Sequence, residues 1–324
     1  MMINEQINPT DDVDISFSKY VAARNIRYDS HMEGGIPDYA YALDYSLRQK
    51  IRAIPGAYPF FKAMSSTYVP LQKQLHNMKS VKVSSNQFPK LHAMLCDCAN
   101  TLGIGIPTMF VVDGIGVMNA MALTCEDAEP LIIMFSAMVE RLTDAEMKAI
   151  IGHECGHIHN NHGIYNMAVE FIKGTASALI PGVGQILALL SVPVFHALQV
   201  WSRAGEVTAD RAGIICCGEH ESTERGDAKL TAGGIMGAEI NIDEFVRQYD
   251  MLRSTPVRMM EWLETHPAAV RRILADREFM KSEVYYKWHP EQKQPNMKLY
   301  TKKELDEQCD RFISVTKSEK RRDR

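Results

Sequence analysis

The chain has 324 residues, 46% hydrophobic and 23% charged, a balance that supports a sizeable buried core and excludes a wholly disordered protein. Its formal net charge of −4 comes without a concentrated basic face, so nucleic acid is excluded as the expected partner. Seven cysteines, including the close pairs Cys96/Cys98 and Cys216/Cys217, match neither a disulfide framework nor a structural zinc knuckle, which points to a reducing compartment.

The first residues, MMINEQINPTDDVDISF, carry neither a positive n-region nor an apolar h-region, so the expected location is cytoplasmic. As far as about Ser80, helical patterning is mixed with breakers, which predicts a mainly helical N-terminal region. An apolar-periodic helix begins near Phe88 and ends at Gly103. Three β-rich runs follow, PTMFVVD, GVMNAMAL and PLIIMF, separated by turn residues, and these predict a small antiparallel sheet.

Next comes LTDAEMKAIIGHECGHIHNNHG. Thr143 followed three residues later by Glu146 is a capping box, predicting a helix from Asp144 to about Asn161. Gly152 and Gly156 inside it each cost about 1 kcal/mol relative to alanine, so something must approach that helix closely; a packed sheet or a substrate is expected. The most apolar stretch, residues 176–200, is long enough to cross a membrane. Its prolines, glycines and polar residues favour a buried or interfacial helical pair, with membrane association as the less favoured alternative. The basic run Lys317 to Arg324 reads as a solvated tail.

The chemistry is concentrated in HECGH. His153 and His157, four residues apart on a helix, project from one face and can share a metal. Glu154 beside them can accept a proton from an attacking water without being a ligand. RAGEVTADRAG supplies Glu206 as a third ligand, which leaves one position open on Zn2+, and Asp210 one turn later can orient a zinc histidine through its other ring nitrogen. Cys155 should face away and pack. His159 and His162 are excluded as ligands, with His162 read as a helix C-terminal cap.

These motifs, in this order, resemble the gluzincin peptidases that include the HtpX-type, Oma-type and CAAX prenyl proteases. The resemblance rests on Asn119 and Ala120 in GVMNAMAL, on AIIGHECGHIHNNH, on WSRAGEVTADRAG, and on THPAAVRRI, spanning about Pro107 to Leu274. It implies an α+β, mainly helical zincin-like fold with the small antiparallel sheet packed on the HExxH helix. The expected division is a helical region 1–85, a zinc metallopeptidase domain 86–280, and a C-terminal extension 281–324. The expected activity is zinc endopeptidase hydrolysis of peptide or unfolded-protein substrates with one Zn2+ per chain. The alternative is a latent or non-catalytic zinc-binding chaperone of the same fold. The resemblance also implies that His266 and Arg272 are candidates to stabilise the oxyanion. Asn119, Ala120 and Met121 would lie on a strand that pairs with substrate.

Overall fold

The computed structural model describes residues 31–163, 192–233, 239–252 and 267–313. In chain order, a two-stranded ribbon, β1 (Met32–Glu33) and β2 (Ile36–Pro37), leads into helices α1 (Ala42–Arg52) and α2 (Ala57–Lys79). Strand β3 (Val81–Lys82), helix α3 (Pro89–Leu102) and strands β4 (Thr108–Val112), β5 (Ala120–Leu123) and β6 (Leu131–Phe135) come next. The helices α4 (Ser136–Arg141), α5 (Asp144–His159), α6 (Val192–Cys217) and α7 (Glu221–Ala232) follow, then α8 (Ile242–Arg247) and α9 (Tyr249–Leu252). Helices α10 (Ala269–Phe279), α11 (Glu283–Trp288) and α12 (Lys302–Ile313) complete the described chain. The fold is mainly helical with small sheets, as expected.

The larger sheet has the order β3-β4-β6-β5 and is mixed, not purely antiparallel. β5 and β6 pair antiparallel, whereas β4 and β6 run parallel from Thr108 opposite Leu131 to Val112 opposite Phe135. The reason is topological: the chain leaving β4 passes beyond the place taken by β6 before reversing into β5, so β6 returns in the direction of β4. β4 and β6 are the buried strands, and among the described residues β5 pairs with β6 alone. Asn119 and Met121 are exposed along that edge, with Ala120 partly covered.

Local chemistry sets the helix ends. Gly103, at φ 70°, closes α3, a conformation that glycine adopts without the steric cost of a Cβ. The capping box on α5 forms in full: Thr143 accepts from the Glu146 backbone N–H, and the Glu146 side chain accepts from the Thr143 N–H at 2.8 Å.

The two interior glycines of α5 face α6, which replaces the sheet or substrate expected from sequence. A Cβ on Gly156 would stand 2.6 Å from the Ala212 Cβ, and one on Gly152 would stand 2.8 Å from the Cys216 Cβ. Ala209, Ala212 and Gly213 form the matching small-residue strip on α6. This seam brings the two helices close enough for side chains from both to meet over a single point. Cys155 is fully buried in the hydrophobic core, on the side expected. Of the apolar segment 176–200, residues 176–191 lie outside the described residues, and the remainder begins α6. Among the described residues no helix is long and apolar enough to cross a membrane.

Candidate metal centre

His153 and His157 lie one turn apart on α5, and Glu206 reaches them from α6; all three are buried. The Nε2 atoms of the two histidines are 3.0 Å apart. Glu206 places Oε2 3.6 Å from His153 Nε2 and Oε1 3.5 Å from His157 Nε2. Glu154, next along α5, is also buried.

The opposite ring nitrogens show what form the two histidines take. His153 Nδ1 is 2.8 Å from Asp210 Oδ1, and His157 Nδ1 is 2.8 Å from His162 Nδ1. His162 Nε2 lies 3.0 Å from Asp44 Oδ2. A carboxylate only accepts, so the proton of His153 belongs on Nδ1. By the same rule His162 carries its proton on Nε2, which leaves its Nδ1 to accept from His157. Both ligand-candidate rings then direct a lone pair from Nε2 toward the Glu206 carboxylate.

Three buried electron-pair donors facing one another repel unless a positive charge stands between them. Their separations suit an ion at ~2 Å from each, the usual Zn–N and Zn–O distance. The same convergence holds a proton on the protein alone. Burial works against a charged His153, but the hydrogen bond and charge of Asp210, with Glu206 beyond, raise its pKa to about 9. The donor set therefore fits Zn2+, with one carboxylate and two imidazoles.

Arg272 from α10 lies behind Asp210. Its Nε donates to Asp210 Oδ2 at 2.7 Å and its Nη2 donates to Asp210 Oδ1, while Nη2 also lies 3.2 Å from Asp227 Oδ1 on α7. Burial would raise the Asp210 pKa, but the charge and hydrogen bonds of Arg272 and His153 hold it below the ordinary value. Asp227 is pushed the other way, up to about 7, by burial; Arg272 lowers it and the Asp210 charge raises it. Two nitrogens of Arg272 are engaged by Asp210 and fix that carboxylate, while its Nη1 lies 3.9 Å from Glu206 Oε2. Arg271 is buried as well and donates to the Phe312 carbonyl at 2.6 Å.

His162 is more than a helix end. Asn161, at φ 54°, is the left-handed residue that stops α5, and the His162 N–H donates back to the His157 carbonyl at 3.0 Å while the Asn161 N–H donates to Ile158 at 3.1 Å. This pair of bonds is a Schellman motif with asparagine in the glycine position. It folds the chain back so that the His162 ring comes beneath His157. His159 turns elsewhere, with Nδ1 2.9 Å from the Tyr39 hydroxyl. His266 lies outside the described residues.

The edge strand is tied to this centre: the Gly163 N–H, just beyond α5, donates to Thr124 Oγ1 at 3.1 Å, immediately after β5. Asn119 accepts from the Phe135 N–H through its backbone oxygen at 3.1 Å, fixing the start of that strand against β6.

The sequence pattern that defines Peptidase family M48 matches residues 85–278. The chain belongs to that family.

An M48 relative from Arabidopsis thaliana, the plastoglobule-localized metallopeptidase 48, chloroplastic, is 30% identical over 259 residues, covering 76% of this chain and 74% of that protein. A Protease HtpX homolog from Moorella thermoacetica is 24% identical over 228 residues, covering 61% of this chain and 75% of its own. The crystal structure of S. mikatae Ste24p aligns at a TM-score of 0.43 with 18% identity, over 71% of this chain and 60% of that one. Membership of M48 makes this chain a metallopeptidase-family hydrolase, whose substrates are peptides or proteins.

Proposed function

We propose that this M48 protein is a zinc endopeptidase in which His153, His157 and Glu206 hold one Zn2+ and Glu154 is the general base. The observation that carries the reading is the convergence of two Nδ1-tethered imidazoles, with Nε2 atoms 3.0 Å apart, on the buried Glu206. When bound, the ion supplies Lewis-acid chemistry: it acidifies water toward a pKa of ~7 and polarises the peptide carbonyl.

The protein's residues do the rest. Glu154 takes a proton from the attacking water and returns it to the departing amine, so no covalent enzyme intermediate is needed. Asp210, clamped by Arg272, keeps His153 in one tautomer and one orientation. Arg272 is thus a positioning residue, and His266 is the remaining candidate donor to the oxyanion. An extended substrate adds to β5 along Asn119, Ala120 and Met121 through backbone hydrogen bonds, a mode that gives affinity with little sequence preference.

Casein cleavage by purified protein, with and without a chelator, tests this reading. Cleavage should disappear with the chelator, return with added zinc, and be absent from a Glu154→Gln variant that still binds zinc. Full cleavage by Glu154→Gln would exclude Glu154 as the base.

A further inference from the structure

Direct contact with a carboxylate orients His153, whereas His157 is oriented through a second imidazole. We propose that Asp44 is a positioning residue for the metal ligand His157, acting through His162. The proposal rests on the zinc reading above and adds to it a contribution from α1, which lies outside the stretch matched by the family.

The direction of the proton chain can be followed atom by atom. The Thr208 hydroxyl oxygen accepts from the Tyr41 N–H at 3.1 Å, so its own proton goes to Asp44 Oδ2, 2.8 Å away. Asp44 Oδ2 also accepts from His162 Nε2 at 3.0 Å. A neutral His162 with its proton on Nε2 has only a lone pair on Nδ1, so His157 Nδ1 must provide the proton between them. His157 Nε2 is then unprotonated, the form that binds a metal. Without Asp44, the carboxylate that holds the His162 proton on Nε2 is lost. The chain can then reverse and place a proton on His157 Nε2, where the ion belongs.

The relay sits in a built slot. Asp44 and His162 are both fully buried. The Trp201 ring meets His162 edge-on, with centroids 5.3 Å apart and planes at 86°. Gly205 leaves room on the other helix, where even a Cβ would stand 3.3 Å from His162 Cε1. The Asn161 turn fixes the backbone from which the ring departs. A histidine confined in this way transmits an orientation as well as a proton preference, because it has one place to be.

The test uses the full chain and compares zinc affinity, measured by competition with a chromophoric chelator, with the visible spectrum of the Co2+-substituted protein. Asp44→Ala and His162→Leu should each weaken zinc binding about 10- to 100-fold and shift the cobalt d–d bands. His162→Gln, whose amide offers one acceptor and one donor in place of the two ring nitrogens, should stay within about threefold of wild type with an unshifted spectrum. Should Asp44→Ala fail to fold by circular dichroism, the Gln and Leu variants at position 162 decide the matter. Equal affinity and an unshifted spectrum in a folded Asp44→Ala would overturn the proposal, as would His162→Gln losing as much as His162→Leu. Wild-type protein that takes up no zinc would overturn the metal reading as well, a failure distinguishable from one confined to the relay.

Discussion

His153 leans on Asp210, one turn along the same helix that supplies Glu206, and Asp210 is held in turn by Arg272. His157 leans on His162 and then on Asp44, which is 118 residues from His162 in sequence. The first arm is charged and compact, with its carboxylate between two cationic partners when His153 is protonated. The second is longer, passes through a second imidazole ring, and depends on α1 docking against α6. The contrast shows that one metal pocket can be held by two supports of different origin. One is part of the α5–α6 pair, and the other comes from a helix outside the family's matched region.

The largest effect should come from cutting the short arm. Asp210→Ala leaves Arg272 buried without its main partner, and a broken buried ion pair costs about 3–5 kcal/mol. Chemical denaturation should register that loss together with lower zinc occupancy; a change below about 1 kcal/mol would show that Arg272 finds compensation elsewhere.

Asp227, on the far side of Arg272, should act in the opposite direction and only in part of the pH range. Its folded-state pKa of about 7 lies above the ordinary aspartate value of 3.8, so the folded protein keeps a proton that the unfolded chain gives up. Stability from this group is complete below about pH 4 and declines as pH rises to about 7. Asp227→Asn keeps an acceptor for Arg272 and escapes that decline. The variant should therefore gain relative to wild type from pH 4 to 7, on the order of 4 kcal/mol, and hold the gain at higher pH. Denaturation midpoints of both proteins measured from pH 4 to 8 check the sign; a difference that stays constant would remove Asp227 as a titrating group.

The seam between α5 and α6 serves both arms. Gly156→Ala forces a methyl to within 2.6 Å of Ala212, so the helices must separate, at about 1–3 kcal/mol for overpacking. Glu206 moves with α6, so zinc affinity should fall along with the melting temperature. Stability lost without any change in affinity would mean that the pocket tolerates the separation.

The smallest effect belongs to the far end of the long arm. Thr208→Val removes one hydrogen bond to Asp44 and leaves the Tyr41 N–H without its acceptor, for about 1–2 kcal/mol. Asp44 still reaches His162, so zinc affinity should change much less than in Asp44→Ala. An equal loss in both variants would show that the hydroxyl, not the carboxylate, governs the relay.

The two arms also differ in how well they could be read from sequence. His153, His157, Glu206 and Asp210 are four-residue repeats on helices, so the periodicity that predicts the helix also predicts a shared face. The capping box and the Gly103 stop were legible for the same local reason. Asp44 was not, because nothing local in ALDYSLRQK distinguishes a buried acceptor from an ordinary first-turn acid. His162 was half legible: its place at the end of α5 was expected, but the left-handed Asn161 that turns its ring under His157 is a tertiary choice for a residue that tolerates either conformation. The parallel pairing of β4 with β6 was hidden similarly, since strand runs identify strands but not their neighbours. Gly152 and Gly156 announced a close approach, and the small residues on α6 that answer them became meaningful only once the helices were paired.

X-ray absorption at the zinc K-edge of purified protein, with zinc quantified per chain, reads out whether His153, His157 and Glu206 hold the ion. One zinc per chain is expected, bound by two imidazoles and oxygen donors and by no sulfur. Zinc bound through sulfur, or protein that remains zinc-free in the presence of the ion, would contradict it.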